Sequence, residues 1–433
     1  MQDFVTQPGI FSVIPFVALL IMIATGPVFF KHRWEKWYPV LSLALAAGMM
    51  CYYIVWLHDS GSVLHTITEY FSFIVLLTAL FVITGGIHVT VKGDAGPFFN
   101  VCFLFFGALL ANGIGTTGAS MLLIRPFIRI NQSRIRPVHI VFFIFLVSNI
   151  GGALTPIGDP PLFLGFLRGI PFFWIIGHVW YIWLFTVLLL LLVFWFIDRK
   201  LAEGFAVSTP GALLKSVKLS GTNNLILLGL VVIGIFLDHS VMPFIPVLRP
   251  LGIREVVLIT LTVIGYKSAS REVLRLNEFN FEPMKEVAFL FAGIFLTMLP
   301  VLQHITAGAK SFGSQLDVSV FFWSSGLLSS VLDNAPTYLN FLSAAMGKYG
   351  LDSGSPQQVA AFLGSGARYI SAVSIACVFF GAMTYIGNGP NFMVRAMSER
   401  AGIRMPSFFG FIQRYSVPIL LPVFAIIWAL FLR

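Results

Sequence analysis

Charge is what this sequence has least of. Of 433 residues, 10% are Asp, Glu, Lys or Arg, against 58% hydrophobic and 15% aromatic. Soluble domains carry about a quarter charged residues, so a soluble enzyme or binding module is excluded. Cysteine is scarce as well. Cys51, Cys102 and Cys377 stand apart in apolar surroundings without metal-ligand spacing, which leaves them as packing residues. His88, His139 and His178 lie in or near apolar runs, also without ligand spacing, and read as packing or interface histidines. The N-terminal MQDFVTQPG lacks a basic n-region, and no A-x-A site follows the first apolar run. That run is therefore expected to be a retained span rather than a cleaved signal.

What is present is a series of apolar runs of about 18 to 25 residues, the length of transmembrane helices. The fold class expected is an all-α polytopic membrane protein. Its spans, about ten, fall near 10–30, 38–56, 67–88, 137–168, 172–197, 223–238, 252–266, 286–304, 368–400 and 406–431. The basic segment KHRWEK at 31–36 is expected on the cytoplasmic face, which puts the N-terminus outside. The run 97–124 cannot cross without placing Arg125, Arg129, Arg134 and Arg136 outside. Its first leg, Pro97 to Ala111, is about 22 Å of helix against a hydrocarbon core of about 30 Å. It reads as a re-entrant hairpin with its tip at NGIGTT, Asn112 to Thr117. A second hairpin, 319–346, enters from outside with its tip at Asp333 to Thr337. Counted this way, 19 Lys and Arg lie inside and 7 outside, Arg414 within a span being left out. That asymmetry accounts for the net charge of +9 without a nucleic-acid partner. Glu69, Glu255 and Glu286 fall near span ends and read as interfacial.

Each half then reads as three spans, a hairpin, an interrupted span and a final span, in opposite orientations. Residues 1–197 form the first inverted repeat, with the hairpin 97–124 and the interrupted span 137–168. A cytoplasmic linker covers 198–221. Residues 222–433 form the second repeat, with the hairpin 319–346 and the interrupted span 368–400. The interruptions match locally, TPIGDPP from Thr155 against TYIGNGP from Thr384. The tips match more weakly, Asn112 opposite Asp333 and Thr116 opposite Thr337. Inverted repeats with discontinuous helices mark secondary transporters.

The interruptions carry the chemistry. In SNIGGALTPIGDPPLF, Ser148 to Phe163, proline removes backbone donors and glycine permits non-helical backbone. Freed carbonyls and amides in hydrocarbon cost several kcal/mol each unless they line a cavity or meet a ligand. Two carboxylates read as deep, Asp159 and Asp333, with Asn388 and Asn112 as their counterparts in the other repeat. No Lys or Arg lies in any of the four breaks, which favours cations. The ion- or substrate-binding candidates are Asp159, Asp333, Ser148, Asn149, Thr155, Gly158, Asn112, Thr116, Asn334, Thr337, Thr384, Gly387, Asn388 and Asn391. Sodium is placed at Asp159, Asn149 and Asp333, and no resident cofactor is expected. Asp333 reads equally as a helix cap.

At SNIGGALTPIGDPP, LDNAPT and GAMTYIGNGPN the chain resembles the ion-transporter superfamily of citrate transporters, arsenite-efflux permeases and sodium:proton antiporters. The likeness is greatest to bacterial proteins described as citrate transporters or sodium:proton antiporters. It implies a homodimer in the inner membrane, with scaffold spans, a moving body of hairpins and interrupted helices, and elevator-like alternating access. It also implies that Ser148 to Ile150 corresponds to the superfamily's Ser-Asn-Thr sodium element. Here Ile150 stands for the Thr, and the second copy has Gly387-Asn-Gly389.

Sodium/proton antiport is the first functional expectation. Removing a carboxyl from water favours its neutral form and a bound cation its charged form, so cation and proton exclude each other. The alternative is sodium- or proton-coupled transport of citrate, dicarboxylate or arsenite-type anions, held at half-helix N-termini. An intramembrane aspartyl protease would need Gly-x-Gly-Asp, and the residue two before Gly158 is Pro156. No enzymatic activity is expected.

Overall fold

Proline and glycine set most of the helix boundaries in the computed structural model, which describes residues 8–205, 208–237, 252–312 and 316–433. After a 3-10 turn at Ile10–Val13 come α1 (Ile14–Phe29), α2 (Lys31–Cys51), α3 (Ser60–Gly85), α4 (Pro97–Ile130), α5 (Pro137–Leu146), α6 (Pro160–Leu167) and α7 (Trp174–Leu201). The chain continues through α8 (Pro210–Lys215), α9 (Thr222–Gly234), α10 (Ile253–Ser268), α11 (Arg271–Leu276) and α12 (Glu282–Phe312). Then follow α13 (Val318–Ser329), α14 (Asn334–Gly347), α15 (Pro356–Ser365), α16 (Ala367–Phe380), α17 (Gly389–Arg400) and a C-terminal helix over Phe408–Leu432. Pro97, Pro137, Pro160 and Pro356 each open a helix at its first turn, where the missing N–H costs nothing.

Seven of the described helices are long and apolar enough to cross a membrane, or eight if α15 and the segment Ala367–Met383, bent by 101°, are one span. This is fewer than the ten expected. The seven include α4, expected as a hairpin rather than a span, while α1, α9 and α10, at the expected spans 10–30, 223–238 and 252–266, have 16, 13 and 16 helical residues, short of the ~20 that cross a bilayer. Arg249 and the end of the 223–238 run lie outside the described residues.

α4 is two helices joined at Gly115, whose φ of 78° and ψ of 152° reverse the chain. The two ends of α4 meet. Ala95 N donates to Ile130 O at 2.7 Å, Asn100 and Asn131 exchange amide hydrogen bonds at 2.8 and 2.9 Å, and Arg134 Nη2 donates to Ala95 O at 2.8 Å. α13 and α14 form a second reversal, with Lys348 Nζ donating to Leu316 O at 2.7 Å across its feet.

The described residues of the stretch 198–221 include a short helix, α8, and a short strand. Asp198, in the last turn of α7, lies in a buried cluster, accepting from Asn100 Nδ2 at 2.8 Å, bonded to His139 Nε2 at 2.9 Å and paired with Arg134. Further on, β2 (Lys218–Ser220) pairs antiparallel with β1 (His88–Thr90), His88 opposite Ser220, a small sheet that the all-α expectation did not include.

Glu69 and Glu255 are buried within the protein. Glu69 is 7% exposed and grips Arg168, Nε to Oε1 at 2.6 Å and Nη2 to Oε2 at 2.8 Å. Glu255, 3% exposed, is held by Arg254 Nη2 at 2.6 Å and by Ser72 Oγ at 2.7 Å. Each acid packs against a neighbouring helix, where an unpaired charge would be costly, so its cation is buried with it. Losing one partner of such a pair typically costs about 3–5 kcal/mol. Glu286, by contrast, is exposed.

Two groups of helices result. α1, α2, α3, α9, α10 and α12 pack together, tied by Tyr53 Oη to Gln303 Oε1 (2.9 Å) and Tyr70 Oη to Ala288 O (2.8 Å). Against them lie the two reversals and the two interrupted helices, through apolar contacts such as the Phe73 and Phe163 rings at 6.5 Å.

Candidate functional site

The first interrupted helix runs α5, a 3-10 turn at Ile150–Leu154, extended Thr155, then α6. The second runs α16, a 3-10 turn at Gly381–Met383, extended Thr384, then α17. The two paths agree closely at the threonine that follows each turn and at the residue that precedes the second half-helix. Thr155 has φ/ψ of −130/155° and Thr384 −138/167°, while Asp159 has −144/145° and Asn388 −149/140°.

The same hydrogen bonds hold both. Thr155 Oγ1 donates to Asn112 O, and Thr384 Oγ1 to Ser330 O, each at 2.5 Å. In return Thr155 Oγ1 accepts from Gly158 N at 3.1 Å and Thr384 Oγ1 from Gly387 N at 2.9 Å. Close backbone packing explains the glycines. A Cβ on Gly158 would stand 2.0 Å from Gly152 O, and one on Gly387 would stand 2.7 Å from Gly381 O.

Side chains take up the carbonyls that the breaks release, as a low-dielectric site requires. Trp183 Nε1 donates to Ile150 O at 2.9 Å and to Gly151 O at 3.1 Å. Asn391 Nδ2 serves Gly381 O at 2.8 Å and Thr384 O at 2.9 Å, and Ser416 Oγ serves Met383 O at 2.8 Å. Ser329 Oγ donates to Cys377 O at 2.7 Å.

At the centre is Asp159, 1% exposed. Its Oδ1 accepts from Thr116 Oγ1 at 2.7 Å and from Asn388 Nδ2 at 3.0 Å. Its Oδ2 accepts from Asn334 Nδ2 at 2.9 Å. The three donors come from the α4 reversal, the start of α17 and the start of α14. One carboxylate thus binds both reversals and both breaks into a single polar knot. Asp159, Asn388 and Asp333 are the N-cap residues of α6, α17 and α14, so three helix N-termini, with their partial positive charge, converge here.

The other candidates divide. Ser148 joins the knot through its carbonyl, which accepts from Asn388 Nδ2 at 3.1 Å, while its hydroxyl meets Ser120 Oγ at 2.7 Å. Asn149, expected beside Asp159 around sodium, turns instead to Ile144 O at 2.8 Å and Asn391 Oδ1 at 2.6 Å, and its Oδ1 is buried without a hydrogen-bond partner. Asn112 Oδ1 accepts from Leu154 N at 2.9 Å. Asp333 is half-buried and caps α14 through Ala335 N at 3.1 Å, and Thr337 Oγ1 donates to Asp333 O at 3.0 Å.

The expected pairing of the tips is three residues out of step. The hydrogen bonds make Asn112 equivalent to Ser330 and Thr116 equivalent to Asn334, which leaves Asp333 level with Gly115 rather than with Asn112. Ser329, Ser330, Ser120 and Trp183 were missed altogether. They are common residues in apolar helices, and only the spacing of Thr155 and Thr384 from their acceptors singles out Ser330.

Among curated proteins no match was found. Over residues 6–432, a stretch that includes both reversals and both breaks, the chain matches the family described as "Putative citrate transport". That agrees with the resemblance carried by the motifs, and the protein belongs to this family of membrane transport proteins.

Proposed function

We propose that the protein is a secondary active transporter in which Asp159 alternates between a proton and a cation, with sodium/proton antiport as the first reading. One observation carries this: a buried carboxylate, with no basic partner among the described residues, is held by Thr116, Asn334 and Asn388, neutral groups from three separate elements. A neutral cradle can hold the carboxyl ionised or protonated, whereas an Arg or Lys would fix it as an anion. Asn amides and Thr hydroxyls also present oxygens, so rotating these side chains would let them complete a sodium shell around the carboxylate.

The matching breaks support reading the two halves as inverted repeats, and the joined feet of α4 support a re-entrant hairpin. Alternating access would then be an elevator-like slide of the knotted elements along α3 and α12, with the Glu69–Arg168 pair broken or remade on the way. The expected homodimer and the outward N-terminus belong to the same proposal. A second reading, cation-coupled transport of a citrate-type anion, is favoured by the family description and by the three convergent helix N-termini.

Proteoliposomes with an imposed pH gradient and a pH dye separate the two. Sodium or lithium is expected to dissipate the gradient, and citrate or arsenite to leave it unchanged. A gradient untouched by sodium, together with saturable citrate uptake, would replace the first reading by the second.

A further inference from the structure

A cavity of about 750 Å³, whose lining does not include Asp159, lies where the second leg of α4 and the C-terminal end of α17 open together. Its lining carries Arg125, Arg129, Arg136, Arg400 and Arg404 against a single carboxylate, Glu278. Glu278 reaches Arg125 Nη2 at 3.4 Å and Arg400 Nη1 at 3.5 Å, bridging the two elements. It is exposed and holds a left-handed backbone, φ 47°, unusual for a residue with a side chain. The loop that presents it is fixed to the end of α3, since the neighbouring Asn277 Nδ2 donates to Gly85 O and Ile87 O, both at 2.7 Å. Arg125 Nη1 is buried and has no hydrogen-bond partner.

Guanidinium groups without lysine suit planar, bidentate recognition of phosphate oxygens. One loosely placed carboxylate cannot balance five of them. We propose that this cavity binds a phosphate-bearing anion, which displaces Glu278 from Arg125 and Arg400. Because those arginines lie on α4 and α17, which carry Thr116 and Asn388, occupancy would unlatch the Asp159 knot from the α3 group at this end. The site is thus an anion-operated latch, whichever ion Asp159 exchanges. Its phosphate could be free in solution or part of a lipid headgroup.

The test is the thermal stability of the full-length protein in phosphatidylcholine nanodiscs, titrated with pyrophosphate against chloride at equal ionic strength. Pyrophosphate is expected to raise Tm saturably. Glu278→Gln should lower the half-saturating concentration roughly tenfold, the equivalent of about 1.4 kcal/mol, because the internal competitor is gone. An Arg125→Gln/Arg400→Gln pair should lose the response, and Arg129→Gln/Arg404→Gln, on exposed residues that folding does not need, should weaken it. Asp159→Asn should keep it, so a failure of the coupling reading leaves this site standing. If phosphatidylglycerol in the nanodisc raises Tm and abolishes the pyrophosphate effect, the phosphate comes from lipid and the site is confirmed. No shift with either ligand beyond that of chloride, or an unchanged response in both arginine pairs, overturns it.

Discussion

Replacing Asp159 by Asn is expected to reduce coupled ion flux to the level of empty vesicles while the protein still inserts and purifies as a folded species. The substitution keeps the size of the side chain but removes its charge and turns one acceptor oxygen into a donor. Oδ1 accepts two hydrogen bonds and Oδ2 one, so in the amide a donor from Thr116, Asn388 or Asn334 faces another donor. Side-chain rotation can relieve that conflict at a cost of about 1–3 kcal/mol, which a large helical protein can survive. The lost charge has no such remedy, because among the described residues no other acid accepts from these three donors. Flux in reconstituted vesicles, set beside size-exclusion profiles of the two proteins, checks both halves of the expectation. Wild-type flux in the variant would remove Asp159 from the coupling step.

The second large effect is structural. Gly158→Ala is expected to abolish the monodisperse folded protein, or to lower its stability by about 3 kcal/mol or more, at the upper end of overpacking costs. The new methyl would lie 2.0 Å from Gly152 O, a backbone atom that no rotamer change can move, and Gly152 is pressed in turn against Gly158 O and Thr116. Gly387→Ala should be milder, with its nearest atom at 2.7 Å, and Gly113→Ala should be neutral, since nothing lies within 4 Å of its Cβ. Thermal unfolding of the three purified variants gives the ordering. A Gly158→Ala protein as stable as Gly113→Ala would mean that the two backbones do not meet in this way.

Membrane class, both breaks and the burial of Asp159 were legible in the sequence, because each rests on composition or on proline and glycine inside apolar runs. Thr155 and Thr384 were legible as a pair for the same reason. The register of the tips was not. NGIGTT and LDNAPT share residue types at several offsets, and only the acceptor carbonyls of Asn112 and Ser330 fix the alignment. Asp333 was weighted with Asp159, yet it sits one residue before the side chain that reaches the knot, Asn334, and spends one oxygen on capping α14. Glu69 reads as an interfacial charge because sequence separation hides that the end of α6 delivers Arg168 onto α3. Long-range ion pairs of this kind leave no local pattern in a single sequence. Nor does the Arg134–Asp198–His139 cluster, whose members look like ordinary basic-loop and helix-end residues.

Proton release on sodium addition tests the mechanism most directly. With the purified protein in weakly buffered detergent and a pH indicator, the wild type should acidify the medium saturably as sodium rises, and Asp159→Asn should give no signal. Sodium binding without acidification in the wild type, or undiminished acidification in the variant, would contradict exchange at this carboxylate.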